Sequence, residues 1–340
     1  GYPRVYAIVW AYVAHLDSRF DPEALRRFVA SYQDVAPLTI GELWAIPITL
    51  RLILIENLRR MAESIIWARR LRREAEEIAD GLLGIGGGRS GETQAALDRY
   101  GPNKLPQPFA VQLLQRLRDQ DPETTPGLTW LLDRLSAEGT SPDEIVGETH
   151  RRQAATNVTV RNIVTSLRQV NFFDWADFVE GVSLVHHALA AESSYGEMSF
   201  ATRDRYRHAI EEVSKGSGTS ELDVTKTTLR LADPQLADRR QSDPGFYLLG
   251  EGRTTLEAQI GFRPGVGLVA SRFVRRHAAA VYLSSAVVVS ALILALPLLT
   301  VGQWSSCGWV MAGLAMIPAS DMGVVLVNRA VAAMTRPEQL

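Results

Sequence analysis

From Ala278 to Val301 the chain reads AAAVYLSSAVVVSALILALPLLTV, 24 residues without a charged group. A helix needs about 20 apolar residues to cross the hydrocarbon core of a bilayer, so this run is long enough to span one. A polar stretch, Gly302–Ser306, separates it from a second apolar run, Cys307–Val327. Arg272, Arg275, Arg276 and His277 stand before the first run, Arg329 and Arg336 follow the second, and the stretch between carries no basic residue. Basic outer flanks predict a helical hairpin whose two ends lie in the cytoplasm. Trp304 and Trp309 stand where an interfacial aromatic belt is expected. Asp321 is the one charge inside the second run. Desolvating it is costly, and structural pairing with a neighbouring helix is favoured over transport or catalysis.

Everything before residue 270 carries helical periodicity, with no alternating strand pattern. The fold class is therefore all-α: a multi-helix cytoplasmic region followed by a transmembrane helical hairpin. Asp21-Pro22 pairs an N-cap with proline at the first helical position. Thr39-Ile40-Gly41-Glu42 and Ser141-Pro142-Asp143-Glu144 are capping boxes. After Thr39, Leu43, Ile46, Leu50, Leu54, Leu58, Met61 and Ile65 draw one stripe along a long helix, which Pro47 should kink. The mixed run Arg69, Arg70, Arg72, Arg73, Glu74, Glu76 and Glu77 reads as its solvated end. The glycine-rich Gly84–Gly91 reads as a flexible linker, because it lacks G-x-x-x-x-G-K-[ST] and follows a helix rather than a strand.

Short helices are expected at 91–100, 107–119 and 126–138. Val160, Ile163, Val164, Leu167 and Val170 make the apolar face of a further helix. Trp175, Phe178, Val179, Val182, Val185 and Leu189 make the next, after a turn at Asn171–Asp174 with Asp174 as its cap. Another helix is expected over Thr202–Val213, ended by Lys215-Gly216-Ser217-Gly218. Ser242-Asp243-Pro244-Gly245 is a turn leading into Phe246–Leu249. These signals divide the chain into an N-terminal helical segment over 1–83, a linker with short helices over 84–140, a second helical segment over 141–270, and the hairpin with its onward link over 271–340.

The formal net charge is −2 across 340 residues, so no electrostatic footprint for nucleic acid exists. The single cysteine, Cys307, excludes an internal disulfide and any multi-cysteine metal site, and reads as a small buried hydrophobe. The chain begins Gly1-Tyr2-Pro3, without Met or a basic secretory leader, and reads as the middle of a longer polypeptide. His186 and His187 are adjacent on a helix, so their rings point about 100° apart and cannot easily grip one metal. Ser193-Ser194 has no evident partner base, and Asp174, Asp177, Glu211 and Glu212 fall on polar helix faces. The basic-aromatic run Arg203-Asp204-Arg205-Tyr206-Arg207-His208 could touch phosphates or anionic headgroups, a signal that Asp204, Glu211 and Glu212 dilute. No catalytic, cofactor-binding or metal-binding residue is assigned.

Several long stretches carry a resemblance. PRVYAIVWAYVAHLDSRFD at 3–21, RFVASYQDVAPLTIGELWAIPITLRLILIENLRRMAE at 27–63 and VTVRNIVTSLRQVNFFDW at 158–175 resemble the N-terminal region of cyclic β-1,2-glucan synthases. FATRDRYRHAIEEVSKGS at 200–217 and SDPGFYLLGEGRTTLEAQIGFRP at 242–264 resemble later parts of the same region, in the same order. The resemblance implies a long inner-membrane protein in which a family-84 glycosyltransferase domain builds glucan on a protein tyrosine, using UDP-glucose and a divalent metal. A glycoamylase-like domain and a phosphorylase-like domain follow it. The present residues would precede the transferase, Val327–Pro337 resembling the approach to it. They would act as a non-catalytic scaffold and membrane anchor, with no cofactor of their own. The partners implied are the lipid bilayer, the downstream transferase domain and the growing glucan. None of that family's catalytic motifs is identified here, and Tyr195, Tyr206 and Tyr247 do not match the glucosylated tyrosine's surroundings. The alternative is a free-standing, non-catalytic membrane adaptor or regulator.

Overall fold

The computed structural model describes residues 3–85, 95–100, 104–121, 125–233, 240–300 and 306–334, and among these every regular element is a helix. The glycine-rich residues 86–91, the loop residues 302–305 with Trp304, Arg336, and the side chains of Cys307 and Trp309 lie outside the described set. The chain divides into two units, one formed by Gly1–Glu212 with Thr219–Leu256, the other by Val213–Gly218 with Glu257–Leu340.

The first unit opens with α1 (Arg4–His15), α2 (Pro22–Gln33) and the long α3 (Ile40–Leu82). Asp21 caps α2, its Oδ1 accepting from Ala24 N at 3.1 Å, with Pro22 in the first turn. Thr39 and Glu42 form the reciprocal capping box on α3, and the Arg4 guanidinium holds Glu42 at 2.6–2.9 Å. α3 runs unbroken through Pro47. Its first turns bury Leu43, Ile46, Leu50, Ile53 and Leu54 in a core shared with Val9, Tyr12, Leu25, Val29, Ile163, Phe178 and Val179. Each such side chain contributes about 2 kcal/mol, whereas the Arg59–Glu56 pair on the same helix is exposed and screened by solvent.

The far end of α3 departs from the expected solvated tail. Leu71, Ala75, Ile78 and Ala79 are buried in a second core with Leu97, Phe109, Leu113, Leu131 and Leu135. The arginines and glutamates of that run occupy the other sides of the helix. The second core is closed by α4 (Gln107–Leu117) and α5 (Pro126–Ala137). From the Ser141–Glu144 capping box a single 31-residue helix, α6 (Pro142–Phe172), returns to the first core. It buries Ile145 in the second core and Ile163 and Val170 in the first, with an exposed stretch between. Two long helices thus serve both cores.

The apolar run from Trp175 to Leu189 is two helices, α7 (Trp175–Val182) and α8 (Leu184–Glu192), not the single one its periodicity predicts. Ser183 makes the break. It is extended, and its Oγ accepts from His186 N at 3.2 Å, so its hydroxyl caps α8. A 3₁₀ turn (Ser194–Glu197) leads to α9 (Phe200–Ser217), longer than expected at both ends and stopped at Gly218, whose φ of +75° suits glycine. α10 (Glu221–Leu231), unforeseen in the sequence, follows with Ser220 as cap, and then α11 (Pro244–Leu248), capped by Asp243.

In the second unit α12 (Arg253–Ile260) ends in residues belonging to it, and α13 (Val266–Arg276) precedes α14 (Ala278–Thr300) and α15 (Ser306–Met334). α14 and α15 are long and apolar enough to cross a membrane. They pack along a seam of small residues. Ala286 and Ala319 are buried, and a Cβ on Gly323 would overlap Ser290, reaching its backbone nitrogen at 3.0 Å. Such close approach is how helices associate where no hydrophobic drive separates helix from lipid. Tyr282 donates to Asn328 Oδ1 at 2.9 Å near one end of the seam.

Two outcomes follow from this packing. In the first core, Ser166 accepts from Phe20 N at 2.7 Å and donates to Ser18 O at 2.8 Å, fixing the left-handed turn at Asp17 and Ser18. Ser166→Ala leaves both groups unpaired, and chemical denaturation should show a loss of about 1–3 kcal/mol. In the hairpin, Gly323→Ile should lengthen or broaden the electron-resonance distance between spin labels at Leu283 and Val331, and an unchanged distribution would discard the close seam.

Candidate functional site

A polar constellation in the first unit sits where α7, the 3₁₀ turn and α9 meet. Glu180 on α7 accepts from Arg207 at 2.8 Å and from Arg203 at 3.0 and 2.9 Å. The four-residue spacing of the two arginines puts both on one side of α9. Arg203 also donates to the carbonyls of Met198 and Gly196 at 2.7 and 3.3 Å, fastening the turn. Arg207 is only 2% exposed, reaches Asp204 at 3.3 Å and Tyr195 at 3.5 Å, and lies over the Phe200 ring. Its Nε is buried with no hydrogen-bond partner among the described residues.

Burial pushes the Glu180 carboxyl upward, but the hydrogen bonds from Arg207 and Arg203 outweigh it and hold the group below the usual carboxylate range. A carboxylate held this way is a poor proton acceptor at neutral pH. Burial also lowers the pKa of His186, against the pull of Glu180, and raises that of Tyr195. Tyr206 donates to Asp243 Oδ1 at 2.8 Å, and burial with that bond raises its phenol further. The arrangement is a lock of charge and packing; its groups are directed at one another.

Several residues marked in the sequence take unforeseen places. Arg203 and Arg207, read as able to meet phosphates, point inward to Glu180, while Arg205 and His208 stay exposed. Tyr195, Tyr206 and Tyr247 are all buried. The His186 and His187 rings lie 6.1 Å apart and 75° inclined, and among the described residues no group of three or more His, Cys, Asp or Glu could hold a metal ion. Asp174 caps α7 by accepting from Asp177 N at 3.0 Å, and Asp177 pairs with Arg26 at 2.5 Å. Glu180 itself went unmarked; its signal was an acid lodged between Val179 and Val182, both core residues. In the hairpin, Asp321 is exposed and, among the described residues, has no hydrogen-bond or ion-pair partner. It lies two residues from Gly323, on the side of α15 away from the seam.

Replacing Glu180 by Gln takes from the buried Arg207 its closest countercharge, leaving Asp204 at 3.3 Å, and should cost about 3 kcal/mol. Because Glu180 ionises at lower pH folded than unfolded, its contribution is complete above the unfolded value of about 4.3 and fades as pH falls through the lower folded value. Melting temperatures taken between neutral pH and pH 3 should therefore fall more steeply for the native protein than for Glu180→Gln. Parallel curves would show the lock to be inert.

No protein-family model matches the chain. Over 280 residues it is 34% identical to the cyclic beta-(1,2)-glucan synthase NdvB of Rhizobium meliloti (strain 1021). The alignment takes in 81% of this chain and 10% of that protein, so the chain spans about a tenth of the length of the relative it matches. Across most of its length, this chain is thus related to one region of a cyclic β-(1,2)-glucan synthase.

Proposed function

We propose that these residues are the scaffold and membrane anchor of a polypeptide that makes cyclic β-1,2-glucan. The observation that carries the reading is the identity of 34% to a cyclic beta-(1,2)-glucan synthase, sustained over 280 residues. It is supported by the two apolar helices α14 and α15 and by the inward-directed chemistry of the Glu180 cluster. In this reading the hairpin crosses the bacterial inner membrane, and the basic residues on its outer flanks keep both ends in the cytoplasm. UDP-glucose and a divalent metal belong to a transferase domain elsewhere in the same polypeptide, with which the helical unit makes contact.

The test is incorporation of labelled glucose from UDP-glucose into glucan by membranes carrying the natural polypeptide that contains these residues. A version lacking residues 1–260 but keeping the hairpin is compared at equal membrane content. The scaffold reading expects the intact protein to make β-1,2-glucan and the deletion to lose most of that synthesis. A fully active deletion would reduce the helical unit to a regulator, and an intact protein that makes no glucan would remove the assignment altogether. Turnover of UDP-glucose by the helical unit alone would contradict its non-catalytic role.

A further inference from the structure

α13 (Val266–Arg276) faces the wrong way for a helix in water. Within its own unit it is held by its polar side: Arg272 grips Glu257 with two hydrogen bonds of 2.6 and 2.7 Å and lies over the Phe262 ring, while Leu268 is half-buried. The opposite side is apolar and open. Val266 is 88% exposed, Val269 51% and Phe273 59%, and Val274 is also exposed. At 100° per residue, Val266, Val269, Ala270, Phe273 and Val274 fill one arc of about 140°, and Arg272, Arg275 and Arg276 fall outside it. An amphipathic helix in water buries its apolar arc and wets its charges; here the arc is presented outward.

Chain continuity says what covers it. Only His277 separates α13 from α14, the first apolar span. Two residues reach at most about 7 Å, and eleven helical residues about 16 Å, so the last turn of α13 stands at the boundary of any membrane that α14 crosses. Arg276, exposed, borders the arc next to Val269. There a long side chain can rest its stem against apolar layers and place its charge among phosphates.

We propose that α13 is an interfacial helix, its Val266–Val269–Phe273 arc seated at the boundary of headgroups and acyl chains and Arg276 turned to anionic lipid phosphates. The helix lies at the entry to the first apolar span. This rests on the reading of α14 and α15 as membrane-spanning, and the experiment keeps the two apart.

Single cysteines at positions 266, 269, 271, 273 and, on the exposed side of α14, 287 are placed in a Cys307→Ser background of the whole chain. They are spin-labelled and reconstituted in vesicles of phosphatidylcholine and phosphatidylglycerol in a seven-to-three ratio. The expected pattern is access to oxygen and protection from an aqueous nickel chelate at 266, 269 and 273, as at 287, with the reverse at 271. Labels at 266, 269 and 273 open to the chelate while 287 lies in lipid would overturn the interfacial helix and leave the hairpin standing. Protection from both probes would mean that protein covers the arc, which also overturns it. A chelate-accessible label at 287 would refute the hairpin and the inference together. In phosphatidylcholine alone the label at 273 should sit shallower, and equal depth in both lipids would remove the part assigned to anionic headgroups.

Discussion

The burial of one side of α3 is the interaction on which the helical unit depends. Leu43, Ile46, Leu50, Ile53 and Leu54 are each about 1% exposed or less, and α1, α2, α6 and α7 all supply residues to the core they enter. A helix of 43 residues cannot be stabilised by propensity alone; its ends need separate apolar partners. The second core, around Leu71, Ala75 and Ile78, supplies that partner at the other end. α6 repeats the device in the return direction. The stretches between the cores, including Ile66 and Trp67 on α3, are exposed. Helix continuity therefore couples two cores that are otherwise built from different helices.

Within that frame the Glu180 cluster adds specificity of arrangement. A carboxylate with two guanidiniums fixes the rotation of α9 against α7, since turning α9 would carry both arginines away from Glu180 and leave its partly buried charge without them. Replacing such a group by well-packed apolar residues can leave a protein as stable or more so, whereas removing one partner is costly. The cluster's value is thus in excluding other packings of α9, which carries polar residues on most of its surface and would otherwise be poorly registered.

Local signals were the legible part of this chain. The caps at Asp21, Thr39, Ser141 and Asp174 were readable because a short side chain meets the backbone N–H three residues on, with no tertiary context required. The all-helical class and the two apolar spans were readable for the same reason, since periodicity and length are local. What could not be read depended on partners distant in the chain. The second core hides behind arginine and glutamate at the end of α3, and alanines 75 and 79 give almost no apolar signal. α10 escaped notice because Thr225 and Thr228 are polar by composition, yet both hydroxyls return to helix carbonyls, at 2.8 and 2.9 Å, and so can be buried. Ser183 looks like any serine within an apolar helix until its hydroxyl is seen capping α8. Glu180 needed Arg203 and Arg207, some two dozen residues on, before its place among valines made sense.

The hairpin presents the complementary problem. Its seam of Ala286, Ser290, Ala319 and Gly323 satisfies one side of each helix by close packing, and the apolar remainder suits lipid. Asp321 does not. A carboxylate on the outward side of an apolar helix costs at least about 2.5–3.5 kcal/mol at the centre of a bilayer, more than a single small-residue contact returns. Neither the seam nor any other described residue offsets that cost. Contact with lipid alone is therefore physically disfavoured on the side of α15 bearing Asp321, while the seam already accounts for the opposite side.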